Sequence, residues 1–198
     1  MTFRKLTLIL VLFGLTTLPA AAQSTLDAYF GLNALTASQA VQSIPRLGGG
    51  LFPSLGATFM LWNHLGIGGE VAWRGGRNNY FDQFGNQIPY RPLFYDFNAV
   101  IDPFSTRGVL VPEAEVGVGG ESVRFYTGSY NCGFSGCTDY VSTNHLQLHL
   151  GIGLKFYLTS HIFLRPEAHL YLVHNNTEFA TTAARRFGLS IGYTFGQR

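Results

Sequence analysis

The chain has 198 residues, with 24 glycines, 15% aromatic residues and only 12% charged ones, a length that suits one domain better than two. Arg4 and Lys5 account for the formal net charge of +2. Without them the 13 basic residues fall to 11, against 11 acidic ones, a balance that argues against a nucleic-acid partner. No second long apolar run follows the N-terminal one, which excludes a helical membrane protein.

Met1 to Ala22 has a basic start, an apolar stretch from Leu6 to Leu18 and Ala20-Ala21-Ala22 before Gln23. This predicts a secretory signal peptide cleaved after Ala22, too short to span a bilayer as a helix, with residues 23–198 as one outer-membrane β-barrel domain. Alternation then predicts eight strands: Leu26 to Leu35, Leu51 to Leu61, Gly66 to Arg74, Leu93 to Asp102, Val109 to Phe125, His145 to Leu158, Ile162 to His174 and Arg186 to Phe195. The clearest is His145 to Phe156, where every even position is large and apolar and every odd one is polar or glycine. Period two means a strand with one apolar face. Short connections at Trp62 to Leu65, Asp102 to Gly108 and Thr159 to His161 alternate with long polar ones at Thr36 to Gly50, Gly75 to Pro92, Tyr126 to Asn144 and Asn175 to Arg185. That layout fits a membrane barrel with short periplasmic turns and long extracellular loops, and only a closed barrel pairs every backbone group of a strand wall in lipid.

The faces decide between lipid and a soluble core. Leu110, Pro112, Ala114, Val116 and Val118 share one face of a strand whose other face carries Glu113, Glu115 and Glu121; Ile162, Leu164, Ala168 and Leu170 oppose Arg165, Glu167, His169 and Tyr171. The polar faces are too charged for a shared dry core. A lipocalin, the soluble competitor, should have an apolar cavity, whereas here the charged face would be the interior. Trp62, Trp73, Tyr95, Phe125, Tyr126, Tyr157 and Phe195 lie near strand ends, as interfacial girdles require. Pro112 and Pro166 each open a Pro-Glu-Ala triplet early in a strand and are expected to mark bulges or bends.

An eight-stranded barrel is just wide enough to be filled by its own side chains. Its lumen is expected to hold Asp27, Glu70, Asp96, Glu113, Glu115, Glu121 and Glu167 against Arg74, Lys155, Arg165 and Arg186, with His145, His149 and His169 beside them, in a paired network that plugs the barrel. His145 and His149 share a face but lie ~13 Å apart at the usual rise of ~3.3 Å per residue, too far to share one ion, so neither a metal nor another cofactor is expected. Cys132 and Cys137 should form a disulfide closing a small loop after export, since two thiols without a second pair make an incomplete zinc site. Ser160-His161 and Ser142 with His145 lack a recognisable acid-base pattern around them and are read as turn and loop residues.

Three stretches carry a family resemblance: Asp27-Ala28-Tyr29-Phe30-Gly31-Leu32-Asn33, Asn63-His64-Leu65-Gly66-Ile67-Gly68-Gly69-Glu70 and Gly188-Leu189-Ser190-Ile191-Gly192-Tyr193-Thr194-Phe195. With them the chain resembles the small eight-stranded outer-membrane β-barrels, the OmpA- and OmpX-like group. The resemblance implies an all-β, eight-stranded antiparallel up-and-down transmembrane barrel in a bacterial outer membrane, and makes Tyr193 and Phe195 the assembly signal read by the barrel assembly machinery. The sequence departs from the family in continuing as Gly196-Gln197-Arg198 past that aromatic. The function expected is non-enzymatic, structural or in surface recognition. Its partners would be outer-membrane lipids, the assembly machinery and a surface ligand met by the long loops. A narrow pore for ions or small solutes and a lipid-modifying enzyme are the alternatives.

Overall fold

The computed structural model describes residues 24–38, 47–62, 64–81, 84–104, 108–133, 136–176, 178–179 and 181–196; the expected signal peptide lies outside them. Nine strands follow in chain order: β1 (Leu26–Ala37), β2 (Gly50–Met60), β3 (Leu65–Trp73), β4 (Asn78–Phe81), β5 (Gln87–Ile101), β6 (Leu110–Gly133), β7 (Gly136–Tyr157), β8 (Ile162–Val173) and β9 (Ala183–Phe195). All pairings are antiparallel, in the order β3-β2-β1-β9-β8-β7-β6-β5, and β3 also pairs with β5. That last ladder closes an eight-stranded up-and-down barrel without a free edge. The short β4 pairs with the upper end of β5, Asn78 opposite Tyr90 and Phe81 opposite Gln87.

Alternation sets which way each side chain points. Along β1 the buried positions are Asp27, Tyr29, Gly31, Asn33 and Leu35, and the exposed ones are Leu26, Ala28, Phe30, Leu32 and Ala34. A water-soluble barrel would invert this. Phe97 is 74% exposed and Ile152 65% exposed on the outer wall, while Arg165 and Arg186 are buried inside it. Outward apolar residues run along β7 from Leu146 to Phe156, ~33 Å of strand at the usual rise, which a tilt of ~40° reduces to a band of ~25 Å, the height of a barrel's apolar belt.

The periplasmic end is tied by small turns. In the β7–β8 turn the Thr159 hydroxyl oxygen accepts from the backbone amides of His161 and Ile162, at 3.3 and 3.0 Å. His64 Nδ1, in the β2–β3 turn, lies 2.8 Å from the carbonyl oxygen of Asp102 at the foot of β5. Higher up, β6 presses against β5 where it has no side chain. A Cβ on Gly119 would lie 1.9 Å from the Tyr95 carbonyl oxygen, and one on Gly117 would lie 2.1 Å from that of Phe97.

Several expectations need correction. Tyr126 to Asn144 is not a loop: β6 and β7 continue as a hairpin, pairing Tyr126 with Tyr140 and Cys132 with Cys137. Their register shifts between Tyr126 and Asn131. No shift falls at the prolines, although β7–β8 pairing lapses between Gly153–Glu167 and Phe156–Leu164, where Pro166 has no amide to donate. Phe125 and Tyr157 do not belong to a girdle. Phe125 packs against a buried cluster inside the barrel, and the Tyr157 hydroxyl lies 3.0 Å from that of Thr194, whose side chain is buried.

Candidate functional site

Inward positions of the lower strands bring the predicted ionic residues together in layers. Near the periplasmic end Lys155 Nζ lies 2.7 Å from Asp27 Oδ2, 2.5 Å from Glu113 Oε2 and 3.9 Å from Asp102 Oδ2. In the next layer Arg165 donates from Nη1 to Glu113 Oε1 at 2.5 Å and Glu115 Oε1 at 3.2 Å, and pairs through Nη2 with Glu167 Oε2 at 2.7 Å. Its guanidinium stacks on Tyr29, 3.9 Å from the ring centre. Arg186 pairs with Glu70, and the Ser190 hydroxyl donates to Glu167 Oε2 at 2.6 Å.

A histidine pair crosses the same level. His149 Nε2 and His169 Nδ1 share a hydrogen bond of 2.9 Å, and their rings stack. His149 Nδ1 meets Asn98 Oδ1 at 2.8 Å, while the Asn98 amide donates to Asp96 Oδ1 at 2.6 Å. Ligand atoms of Glu115, His149 and His169 all lie within 4.8 Å of one another, as do those of Glu70, Glu167 and His169. The first trio draws on β6, β7 and β8 and the second on β3 and β8, and each has the donor set a divalent cation takes.

Above the charges the lumen turns apolar. Leu35, Phe52, Tyr90, Phe94, Val123, Tyr171, Val173 and Ala184 from the strands are joined by Leu47 and Phe179 from the first and last extracellular connections in one buried cluster. Phe179 sits 4.8 Å from Tyr90 and 6.1 Å from Phe125, ring centre to ring centre, and the Leu47 amide donates to Thr181 Oγ1 at 3.1 Å. Leu47 and Phe179 therefore cap the barrel, and Phe179 adds its ring to those of Phe52, Tyr90, Phe94 and Tyr171.

Ten of the eleven charged residues expected in the lumen are buried there. Arg74 is the exception: it lies past the end of β3, half-buried, with its guanidinium against Gly50 at the extracellular end. His145 and Glu121 face inward but stand higher than the network, His145 2.9 Å from Glu178 and Glu121 2.8 Å from the Asn176 amide that donates to it. Asp102, which sequence reading placed only at a strand end, and Asn98 complete the network. The aromatic cap was missed; its signal is the change of inward residues from charged to aromatic up some strands, as from Asp96 to Phe94 on β5 and from His169 to Tyr171 on β8.

The remaining candidates lie elsewhere. Cys132 and Cys137 form a disulfide across the β6–β7 hairpin. Tyr193 and Phe195 lie on the outer face of β9 with ring centres 4.8 Å apart. His161 stacks on Tyr193 and its Nδ1 meets the Thr194 carbonyl oxygen at 3.0 Å. Ser142 sits on the outer side of β7, opposite Arg124, whereas His145 points inward, so the two do not form a nucleophile and its base.

Residues 7–195 match the family model of the outer membrane protein beta-barrel domain. No curated protein matches the sequence. Among solved structures the chain is similar to the neisserial surface protein NspA, at 14% identity and a TM-score of 0.58 over 90% of this chain and 99% of that one. It is also similar to the N-terminal β-barrel domain of Pseudomonas aeruginosa OprF, at 13% identity and a TM-score of 0.55 over 88% and 98%. A third similarity is to Ail, the attachment invasion locus protein of Yersinia pestis, in complex with the heparin analogue sucrose octasulfate. There the identity is 13% and the TM-score 0.50, over 87% and 97%. At these identities the likeness is one of fold.

Proposed function

Because the chain belongs to the outer membrane protein beta-barrel domain family and lies in the bacterial outer membrane, we propose that it is a closed, non-conducting barrel with a structural or surface-recognition role. What supports this reading is the set of side chains buried in the lumen. Three permanent cations, Lys155, Arg165 and Arg186, and their carboxylate partners occupy its lower part, and the Tyr90, Phe94, Tyr171 and Phe179 cluster covers them. An ion crossing the wall would have to break buried ion pairs and displace packed rings, each at a cost of several kcal/mol.

With the lumen closed, function moves to the outside, and the β6–β7 hairpin is its most prominent display. Tyr126 and Tyr140 face each other across it, with the Arg77 guanidinium 3.5 Å from the Tyr126 ring centre and that of Arg124 4.9 Å from the Tyr140 ring centre. Tyr130 is 78% exposed near its tip. Exposed tyrosines with arginines are the side chains that recognition surfaces favour.

The test is single-channel recording on residues 23–198 refolded into a planar bilayer, with insertion checked separately. An inserted but silent barrel is the expected result. Reproducible discrete steps would overturn the closed-lumen reading in favour of a narrow pore lined by Glu113, Glu115, Arg165 and Arg186.

A further inference from the structure

The wall sorts its charges by sign. Among the described residues eight acidic side chains are buried, whereas Arg91, Arg124 and Arg185 point outward in the extracellular half of β5, β6 and β9. A chain with nearly equal numbers of acids and bases thus presents a basic outer rim.

Two of these arginines are set against each other. Arg91 on β5 and Arg124 on β6 are direct cross-strand partners, a placement in which like charges repel. Among the described residues no carboxylate lies within 4.0 Å of either guanidinium. Arg91 donates from Nε to the Arg74 carbonyl oxygen at 2.7 Å and Arg124 leans on Tyr140, contacts that orient the two groups without neutralising them. Between them opens a recess of about 190 Å³, lined by Trp73, Leu93, Arg91 and Arg124.

The height of this recess identifies its occupant. Arg91 and Arg124 stand two residue pairs above Leu93 and Ser122, past the end of the outward run of Tyr95 and Phe97. That is the headgroup level of the outer leaflet, and Trp73 on β3, paired with Leu93 on β5, takes the position of an interfacial aromatic. Two guanidiniums present paired donors that match the oxygens of one phosphate, and Leu93 and Trp73 extend the recess down into the apolar belt. We propose that Trp73, Arg91 and Arg124 form an outward-facing site for the phosphate of an outer-leaflet lipid, whose chains lie along the wall below. The site does not depend on whether the lumen is closed.

The test uses residues 23–198 in phosphatidylcholine nanodiscs doped with bisphosphorylated lipid A or with its dephosphorylated form, with lipid retention read by native mass spectrometry. A second readout is Trp73 emission in a Trp62→Phe chain, Trp62 being the only other tryptophan. The barrel should retain the phosphorylated lipid and not the dephosphorylated one. Arg91→Gln with Arg124→Gln should lower retention about tenfold or more, while Arg185→Gln leaves it unchanged. Equal retention of both lipids, an unaffected double variant or an equal loss in Arg185→Gln would overturn the site. So would a Trp73 shift produced as fully by millimolar inorganic phosphate in lipid A-free nanodiscs, since it would mark a free-anion site. Should the double variant not fold, the two lipids compared on the unaltered arginines still decide.

Discussion

Arg165 binds together more of the lumen than any other side chain. Its guanidinium meets Glu113, Glu115 and Glu167 within 3.2 Å and lies over Tyr29, so its removal takes a cation from three buried carboxylates at once. Arg165→Met should destabilise the barrel by about 3 to 5 kcal/mol, the cost of breaking a buried ion pair, as measured by urea unfolding in lipid vesicles. Adding Glu113→Gln should recover part of that loss; a single-variant loss below about 1 kcal/mol would show that the carboxylates find other partners. The inward direction of Arg165 was legible from period two alone, because its neighbours Leu164 and Pro166 cannot share its face. The same rule gave Arg74 the right face and the wrong neighbourhood. Alternation reports which side of the wall a residue takes but not its height, and one or two turns of register separate the ionic layers from the extracellular rim.

The strands that leave the membrane were the hardest to read. β6 and β7 run as far as Gly133 and Gly136, yet Tyr126 to Asn144 shows no alternation because a hairpin standing in water has no apolar side to mark. Hydrogen bonding across the pair, not burial, holds it, and the Cys132–Cys137 bridge ties its tip. A crosslink between residues only 5 apart removes little chain entropy, and it sits outside the cooperative barrel. Replacing both cysteines by serine should therefore leave the barrel's unfolding free energy within about 0.5 kcal/mol, as for a surface change, while amide exchange at Tyr126 to Tyr140 accelerates. A large drop in barrel stability would mean that the hairpin is part of the folding unit. The aromatic cap escaped sequence reading for a related reason. Leu47 and Phe179 carry no periodic signal in their connections, where Val41 and Ile44 are as apolar as Leu47, and only the closed ring creates the interior into which they fold.

For the whole molecule, the orientation of the wall was the most legible property, since the alternation repeats in every strand and any one-residue slip would turn charges toward lipid. Ile152→Arg, placed in the middle of the β7 belt and 65% exposed, should cost about 2 to 4 kcal/mol of membrane folding, read from the folded and unfolded gel mobilities after incubation with vesicles across a urea series. Unchanged folding would mean that this face does not touch hydrocarbon. The lumen pairs also link strands far apart in the ring: Lys155 on β7 reaches Asp27 on β1, and Arg186 on β9 reaches Glu70 on β3. β6 carries Glu113 and Glu115, whose cations lie on β7 and β8. No hairpin is neutral by itself, so one entering hydrocarbon alone would drag unpaired charge with it. The pairing therefore penalises strand-by-strand insertion, and the strands that share an ion pair cross the bilayer at least cost together.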